Sequence, residues 1–282
     1  MLSIGIYGFG RFGRFLAKSL ENSAFKIYAT SRTDYSQTTH DLHGALFTHD
    51  LCDFFHNKLD ILIISTSILS FTESLNLLAP HLQKLEYPIL LIDVCSVKEY
   101  PKKQLLQCFP SASSVAVTSV AGDVATDAAA TAATAAVTKK PTISILCTHP
   151  MFGPDSASNS YQGLYFMFEK VRIHNPLTCQ VFLDHYQKLG CTMVEMSCEQ
   201  HDTYTSSSQF ITHLTGRVLS NLKLTSTPIN TTGYEMLLGL VENTENDSLE
   251  LFRGLFRYNS SAKKNLLNFQ KSLENIIQEL DS

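Results

Sequence analysis

The chain has 282 residues, no tryptophan and no Cys-x-x-Cys pair. Its seven cysteines stand at 52, 95, 108, 147, 179, 191 and 198. An odd number without close pairs excludes a secreted disulfide frame and a zinc ribbon, so reduced thiols in a reducing intracellular compartment and no metal are expected. Charge is sparse as well. Lys and Arg number 22 against 26 Asp and Glu, a formal net charge of −4. That balance offers no surface for nucleic acid or for an anionic membrane. No apolar run approaches the ~20 residues that span a bilayer. No signal-peptide pattern precedes the first strand, which begins almost at Met1. The length accommodates one large domain or two moderate ones.

What is present starts at once. The apolar run Ile4-Gly5-Ile6-Tyr7 leads into Gly8-Phe9-Gly10-Arg11-Phe12-Gly13, and a helix-like stretch follows from Arg14. G-x-G-x-x-G alone is a weak signal. Between a strand and a helix it is the phosphate-binding turn of a dinucleotide fold: Gly8 for the tight turn, Gly10 for approach of the pyrophosphate, Gly13 for close helix packing. The second strand, Lys26 to Thr30, ends in Ser31-Arg32. NAD sites place an acidic residue near that point for the ribose 2′-OH. Here a hydroxyl and a guanidinium stand instead, which suit a 2′-phosphate, so NADP is expected over NAD. Asp34 is close enough to keep NAD as an alternative, with Arg32 then a solvated loop charge.

The first part of the chain alternates short apolar runs, Ile61-Leu62-Ile63-Ile64, Ile89-Leu90-Leu91-Ile92 and Ile143-Ser144-Ile145-Leu146, with amphipathic stretches. Such alternation predicts an α/β fold with a parallel, doubly wound sheet. A helix over 177–189 and a strand over 193–196 complete it. From about Cys198 long helical patterns take over, at 203–222, 233–243, 248–258 and 262–280. A dinucleotide-binding domain over 1–198 and a helical substrate and dimerisation domain over 199–282 are therefore expected. Faces as apolar as Leu249, Leu251, Phe252, Leu255 and Phe256 need a partner surface, and a symmetric homodimer is the usual solution. Residues 111–140 are almost entirely Ala, Thr, Ser and Val. They read as a low-complexity surface insertion.

Three stretches follow apolar strands, where open α/β sheets bind their ligands. They are Thr66-Ser67-Ile68-Leu69-Ser70, Asp93-Val94-Cys95-Ser96-Val97-Lys98 and Cys147-Thr148-His149-Pro150-Met151-Phe152-Gly153-Pro154. Gln209, His213 and Arg217 recur every four residues and share one helix face. Each has a plain alternative: Ser96 a helix cap, His149 one of ten histidines, the Gln209 face a solvated one.

At Ser96-Val97-Lys98-Glu99 and Thr148-His149-Pro150-Met151-Phe152-Gly153-Pro154 the chain resembles the arogenate/prephenate dehydrogenase family of tyrosine biosynthesis, most closely its plant-type arogenate branch. Ser31-Arg32, Thr66-Ser67-Ile68-Leu69, Val194-Glu195-Met196-Ser197-Cys198, Ser208 to His213, Gly233-Tyr234-Glu235 and Leu240 to Thr244 look like that branch too. The resemblance implies NADP-dependent oxidative decarboxylation of a small-molecule substrate, arogenate or prephenate, in a plastid or the cytoplasm, and a dimer joined through the helical domain. It makes His149 the catalytic histidine at the ring 4-hydroxyl, with Ser96 supporting it. It makes Gln209, His213 and Thr231 substrate contacts, and Asp247 the acidic position tied to arogenate preference. The cofactor would be held by Gly8, Gly10, Arg11, Phe12, Gly13, Ser31, Arg32, Thr66 and Ser67. Two departures stand out: Gly233 to Gly239 lacks the arginine of the bacterial prephenate pattern, and Thr232 stands where plant relatives usually have lysine. Asp247 also suits the N-cap of a helix over 248–258. Rivals are a 3-hydroxyacid or imine reductase, which needs a lysine absent from the Gln209–Arg217 face, and a nucleotide-sensing regulatory protein.

Overall fold

The computed structural model describes residues 1–21, 24–37, 42–110 and 142–282. The expected insertion at 111–140 lies outside them. The chain runs β1 (Leu2–Tyr7), α1 (Arg11–Leu20), β2 (Phe25–Thr30), β3 (Leu46–Phe47), α2 (Leu51–Phe55), β4 (Ile61–Ile64), α3 (Phe71–Leu82), β5 (Ile89–Asp93), α4 (Glu99–Cys108), β6 (Ile143–Pro150), β7 (Tyr165–Arg172), α5 (Pro176–Lys188) and β8 (Thr192–Glu195). Then come α6 (Cys198–Ser207), α7 (Gln209–Asn221), α8 (Thr232–Asn246), α9 (Leu249–Arg257) and α10 (Ala262–Leu280).

Among the described residues the strands form one sheet in the order β3-β2-β1-β4-β5-β6-β7-β8. The stretch from β3 to β6 is parallel throughout, in the order of a dinucleotide-binding sheet. Every residue of β4, β5 and β6 is buried, which is why these strands read as unbroken apolar runs. The sheet is not parallel to its end. β7 runs antiparallel to β6, and β8 pairs parallel with β7. The connection from β6 to β7 contains no helix. A loop suffices for an antiparallel return, whereas a parallel one needs a crossover. β7 opens on the apolar run Tyr165–Phe168 and ends in charged residues, and five of its eight residues are partly or fully exposed.

The two faces of the sheet carry separate cores. On one, Phe15, Leu16 and Leu20 of α1 join Phe182, Leu183 and Tyr186 of α5. On the other, Leu75 and Leu78 of α3 and Leu105 of α4 meet Cys198, Phe210, Leu255 and Ala262 from the helical region. The helices after β8 thus share a core with the sheet. Cβ on Gly254 would run into the Ile68 side chain, so α9 crosses the loop after β4 at close range.

The pattern over 203–222 predicts one helix, and the structure has two. The chain breaks at Ser208 (φ −107°, ψ −81°). Thr205, Ser206, Ser207 and Ser208 turn their hydroxyls back onto carbonyls of the preceding turn, at 3.0, 2.8, 3.0 and 2.9 Å. Such back-bonding competes with the helical ladder and bends it. The start of α6 is fixed by a capping box, Ser197 with Gln200.

One buried ion pair stands out. Lys98 and Asp93 have fully buried side chains and bond to each other. The Lys98 ammonium also donates to the Thr148 carbonyl. Removing one partner of such a pair strands the other charge. Lys98→Met is therefore expected to lower stability by ~3–5 kcal/mol in urea unfolding, and Asp93→Asn added to it to recover part of the loss.

Candidate active site

A cavity of about 490 Å³ opens at the carboxyl ends of β1, β4, β5 and β6, roofed by α7 and the corner between α8 and α9. The nucleotide side is built by the glycine turn. Gly8 sits at φ +97°, and Cβ on Gly13 would collide with the Gly8 carbonyl, whereas Cβ at Gly10 would meet nothing within 4 Å. The amino end of α1 has no side-chain cap. Open space beside uncapped amides fits a pyrophosphate. Arg11 and Phe12 line the cavity from α1, Thr66 and Ser67 from the loop after β4. Arg11 pairs with Asp155 at 2.5 Å and reaches the Asn246 carbonyl at 3.5 Å, tying α1 to the α8–α9 corner.

At the end of β2, Ser31 gives its carbonyl to His49 Nδ1 at 3.0 Å. Arg32 is exposed and makes no hydrogen bond or ion pair among the described residues. Asp34 is turned into its own loop, where it accepts from the Ser36 amide (2.8 Å) and hydroxyl. The guanidinium is free for a ligand and the carboxylate is engaged.

His149 is the penultimate residue of β6, 3% exposed, and it faces the cavity. Its Nδ1 lies 2.8 Å from Nε2 of His201, and His201 Nδ1 lies 2.8 Å from Oδ1 of Asp202. The Asp202 carboxylate accepts the backbone amides of Lys98 (2.8 Å) and Glu99 (2.9 Å), capping α4 from outside. Burial first, then the charges of His201 and Lys98, push the His149 pKa well below its ordinary value. The resting group is a neutral imidazole with Nε2 free. Sequence reading missed His201 and Asp202, because no spacing joins positions 149 and 201. Only the docking of α6 against β6 and α4 does.

Ser96 lines the same cavity. It caps no helix: the residue before α4 is Lys98, whose side chain is buried elsewhere. The Ser96 hydroxyl has no hydrogen bond among the described residues, His149 included.

The α7 face is partly as expected. Gln209 lines the cavity, and its Oε1 is buried without a partner, as is Nδ1 of His213. His213 Nε2 lies 3.6 Å from Asp247 Oδ2, and Asp247 lines the cavity. Buried polar atoms left unpaired beside a cavity point to a ligand. Arg217 instead locks the corner, donating to the carbonyls of Asp247 (2.7 Å) and Thr244 (3.0 Å). Asp247 is not the cap of α9. Ser248 is, accepting from the Leu251 amide at 3.1 Å. Thr231 is not brought to the cavity within the chain. Its hydroxyl caps the first turn of α8, and α8, 15 residues long, puts Thr231 roughly 20 Å from Asp247 at ~1.5 Å per residue.

Residues 218–282 match the family described as TYRAAT1-like, C-terminal domain. Arogenate dehydrogenase 1, chloroplastic, of Arabidopsis thaliana is 41% identical over 283 residues, 99% of this chain and 39% of that protein. Arogenate dehydrogenase 2, chloroplastic, of the same plant is 41% identical over 285 residues, 99% of this chain and 70% of that protein. The chain thus spans less than half of the first relative and about two thirds of the second. Among solved structures, prephenate dehydrogenase from A. aeolicus in complex with hydroxyphenyl propionate and NAD+ superposes with a TM-score of 0.67 at 18% identity, over 100% of this chain and 93% of that one. At that identity the likeness is one of fold.

The buried histidines set an acid limit on stability. Burial lowers the pKa of His149, His201 and His213. A depressed histidine binds its proton more readily in the unfolded chain, so its contribution is complete above the unfolded value of ~6.5 and is lost as pH falls below it. Thermal melts are expected to drop between about pH 7 and about pH 5.5, and less so in His149→Gln. A melting temperature that rises on acidification would contradict the burial of neutral imidazoles.

Proposed function

The chain belongs to the arogenate dehydrogenase family, and from that premise we propose that it oxidises L-arogenate with NADP to tyrosine and carbon dioxide, with His149 as the base. The observation that carries this reading is a neutral, buried His149 in one cavity with the glycine turn's helix and the Gln209–Asp247 wall. Arogenate bears hydrogen and hydroxyl on ring C4 and a carboxylate on quaternary C1. When bound, NADP supplies the acceptor for the C4 hydride. Nε2 of His149 takes the hydroxyl proton as C4 becomes a carbonyl. That carbonyl is the electron sink for loss of the C1 carboxylate as carbon dioxide, and the ring becomes aromatic. The chain's own work is to orient the ring, hold the base neutral and keep water out.

The cofactor would lie along Gly8, Gly10 and Gly13 with Arg11, Phe12, Thr66 and Ser67 beside it, and its 2′-phosphate at Ser31 and Arg32. A free guanidinium and a committed Asp34 support NADP over NAD. Ser96, its hydroxyl free, supports the 4-hydroxyl beside His149. On the other wall, the unpaired Gln209 Oε1 and the Asp247 carboxylate favour a cationic group, and arogenate carries an ammonium where prephenate has a keto oxygen. Arg217 turns Nη2 to the carbonyls of Thr244 and Asp247, away from a substrate carboxylate. On α10 only Ala262 is buried, and Leu267, Leu273, Ile276, Ile277 and Leu280 are exposed. A second copy of the chain covering that face is the form we assign. We place it in a plastid, in keeping with the relatives' chloroplastic names.

One assay tests the reading. Reduction of the nicotinamide is followed with arogenate or prephenate, and with NADP or NAD. Wild-type protein is expected to prefer arogenate and NADP. Asp247→Asn leaves the α9 cap intact and should shift the ratio of the two substrate efficiencies toward prephenate by ~1–3 kcal/mol. A ratio that stays put removes Asp247 as the discriminator.

A further inference from the structure

We propose that His201 and Asp202 are positioning residues for His149: they fix its proton on Nδ1, leave Nε2 bare toward the cavity, and steady the positive charge that His149 acquires. This rests on the reading of His149 as the base. The chain of bonds dictates the direction. Oδ1 of Asp202 accepts the Lys98 amide and Oδ2 the Glu99 amide. A carboxylate so used is an acceptor at His201 as well, so His201 Nδ1 carries the proton. Nε2 of His201 then has a lone pair and no proton, and it accepts Nδ1–H of His149. One tautomer of His149 remains. Its free nitrogen is the one a substrate hydroxyl can meet.

A purely structural role does not account for His201. The docking of α6 on α4 is already made by Asp202 through the two amides, and the Asp202 carbonyl accepts from Asn259 at 2.7 Å. His201 bonds back to the carboxylate of its own neighbour, which adds nothing to that docking. What it does add is a link between Asp202 and His149, with His201 only 2% and Asp202 1% exposed. The charges facing His149 are His201 and Asp202 from α6, and the Lys98–Asp93 pair from the end of β5. Lys98 sits close enough to oppose an imidazolium. As the substrate O–H bond breaks and an N–H bond forms at Nε2, with the C4 hydride passing to the NADP oxidant, the new charge needs an anionic counterweight. Asp202, through His201, is the carboxylate aimed at it. The arrangement is analogous to the carboxylate that orients a catalytic histidine in hydrolase triads.

The test has a part that needs no turnover. In ¹⁵N-histidine-labelled wild-type protein, with His149→Gln for assignment, the His149 signals are expected to show Nδ1 protonated and Nε2 bare at neutral pH. In His201→Ala that tautomer is expected to give way. In His201→Gln it should persist, because the side-chain carbonyl can accept Nδ1–H. In turnover, His201→Ala is expected to lower kcat at least ~10-fold, the scale of lost support to a site residue, with KM little changed. The acid limb of its kcat/KM profile should leave the wild-type position, since His149 loses the group that faces its Nδ1. His201→Gln should recover part of kcat. A wild-type His149 protonated on Nε2 overturns the proposal, and so does a His201→Ala protein with the wild-type rate and acid limb. Wild-type protein inert toward both arogenate and prephenate would overturn the functional reading instead, and the tautomer spectrum would still decide this one. If His201→Ala does not fold, the wild-type spectrum and His201→Gln carry the decision.

Discussion

The site depends on a lysine that never meets solvent. Lys98 directs its ammonium to Asp93 at the end of β5 and to the Thr148 carbonyl near the end of β6. Thr148 returns a hydroxyl bond to the Asp93 carbonyl at 2.8 Å. The Lys98 amide is held by Asp202 of α6. Two strand ends, the start of α4 and the start of the helical region thus meet at one residue. Ser96 lies two residues before it and His149 directly after Thr148. A buried charge pair is a poor source of stability, because desolvation offsets most of the attraction. Here it yields geometry: the Lys98 ammonium, held by Asp93 and by the Thr148 carbonyl, permits few arrangements of the loops that present Ser96 and His149.

The same lysine shapes the electrostatics. Its charge, together with burial, opposes a proton on His149, which keeps the imidazole neutral. Of the carboxylates in reach, Asp93 gives Oδ1 to Lys98, and Asp202 is held by two amides and His201. On the opposite wall Gln209 Oε1, His213 Nδ1 and Arg217 Nε are left unpaired. The His149 side of the cavity is preorganised through His201 and Asp202, which suits the reacting centre, and the Gln209–Asp247 wall offers unpaired polar atoms, which suits recognition of a substrate's far end.

Much of this was legible in sequence, for physical reasons. Glycines at 8, 10 and 13 have few other uses between a strand and a helix. Runs such as Ile61–Ile64 announce strands buried on both faces. α10 falls at 262–280 as the pattern predicts. What stayed hidden was tertiary. β7 is apolar only over Tyr165–Phe168, and its antiparallel place beside β6 is set by docking. The break at Ser208 needs hydroxyls that either cap, bend or face solvent, and composition alone does not choose among them. His201 and Asp202 gain meaning only where α6 meets β6. The resemblance makes Thr231 and Asp247 parts of one site, and the length of α8 sets them at its opposite ends within the chain. Asp247 fitted a cap by position, yet Ser248 beside it takes that role.

The central claim is that a neutral His149 acts on the ring hydroxyl of a dehydrogenase substrate. The most direct measurement is turnover of His149→Ala with arogenate, alongside fluorescence titration of the same protein with NADPH. Loss of a positioned base is expected to cut kcat by ~10²–10⁴-fold while nucleotide affinity stays at the wild-type value. Turnover within a few-fold of wild type would contradict the account.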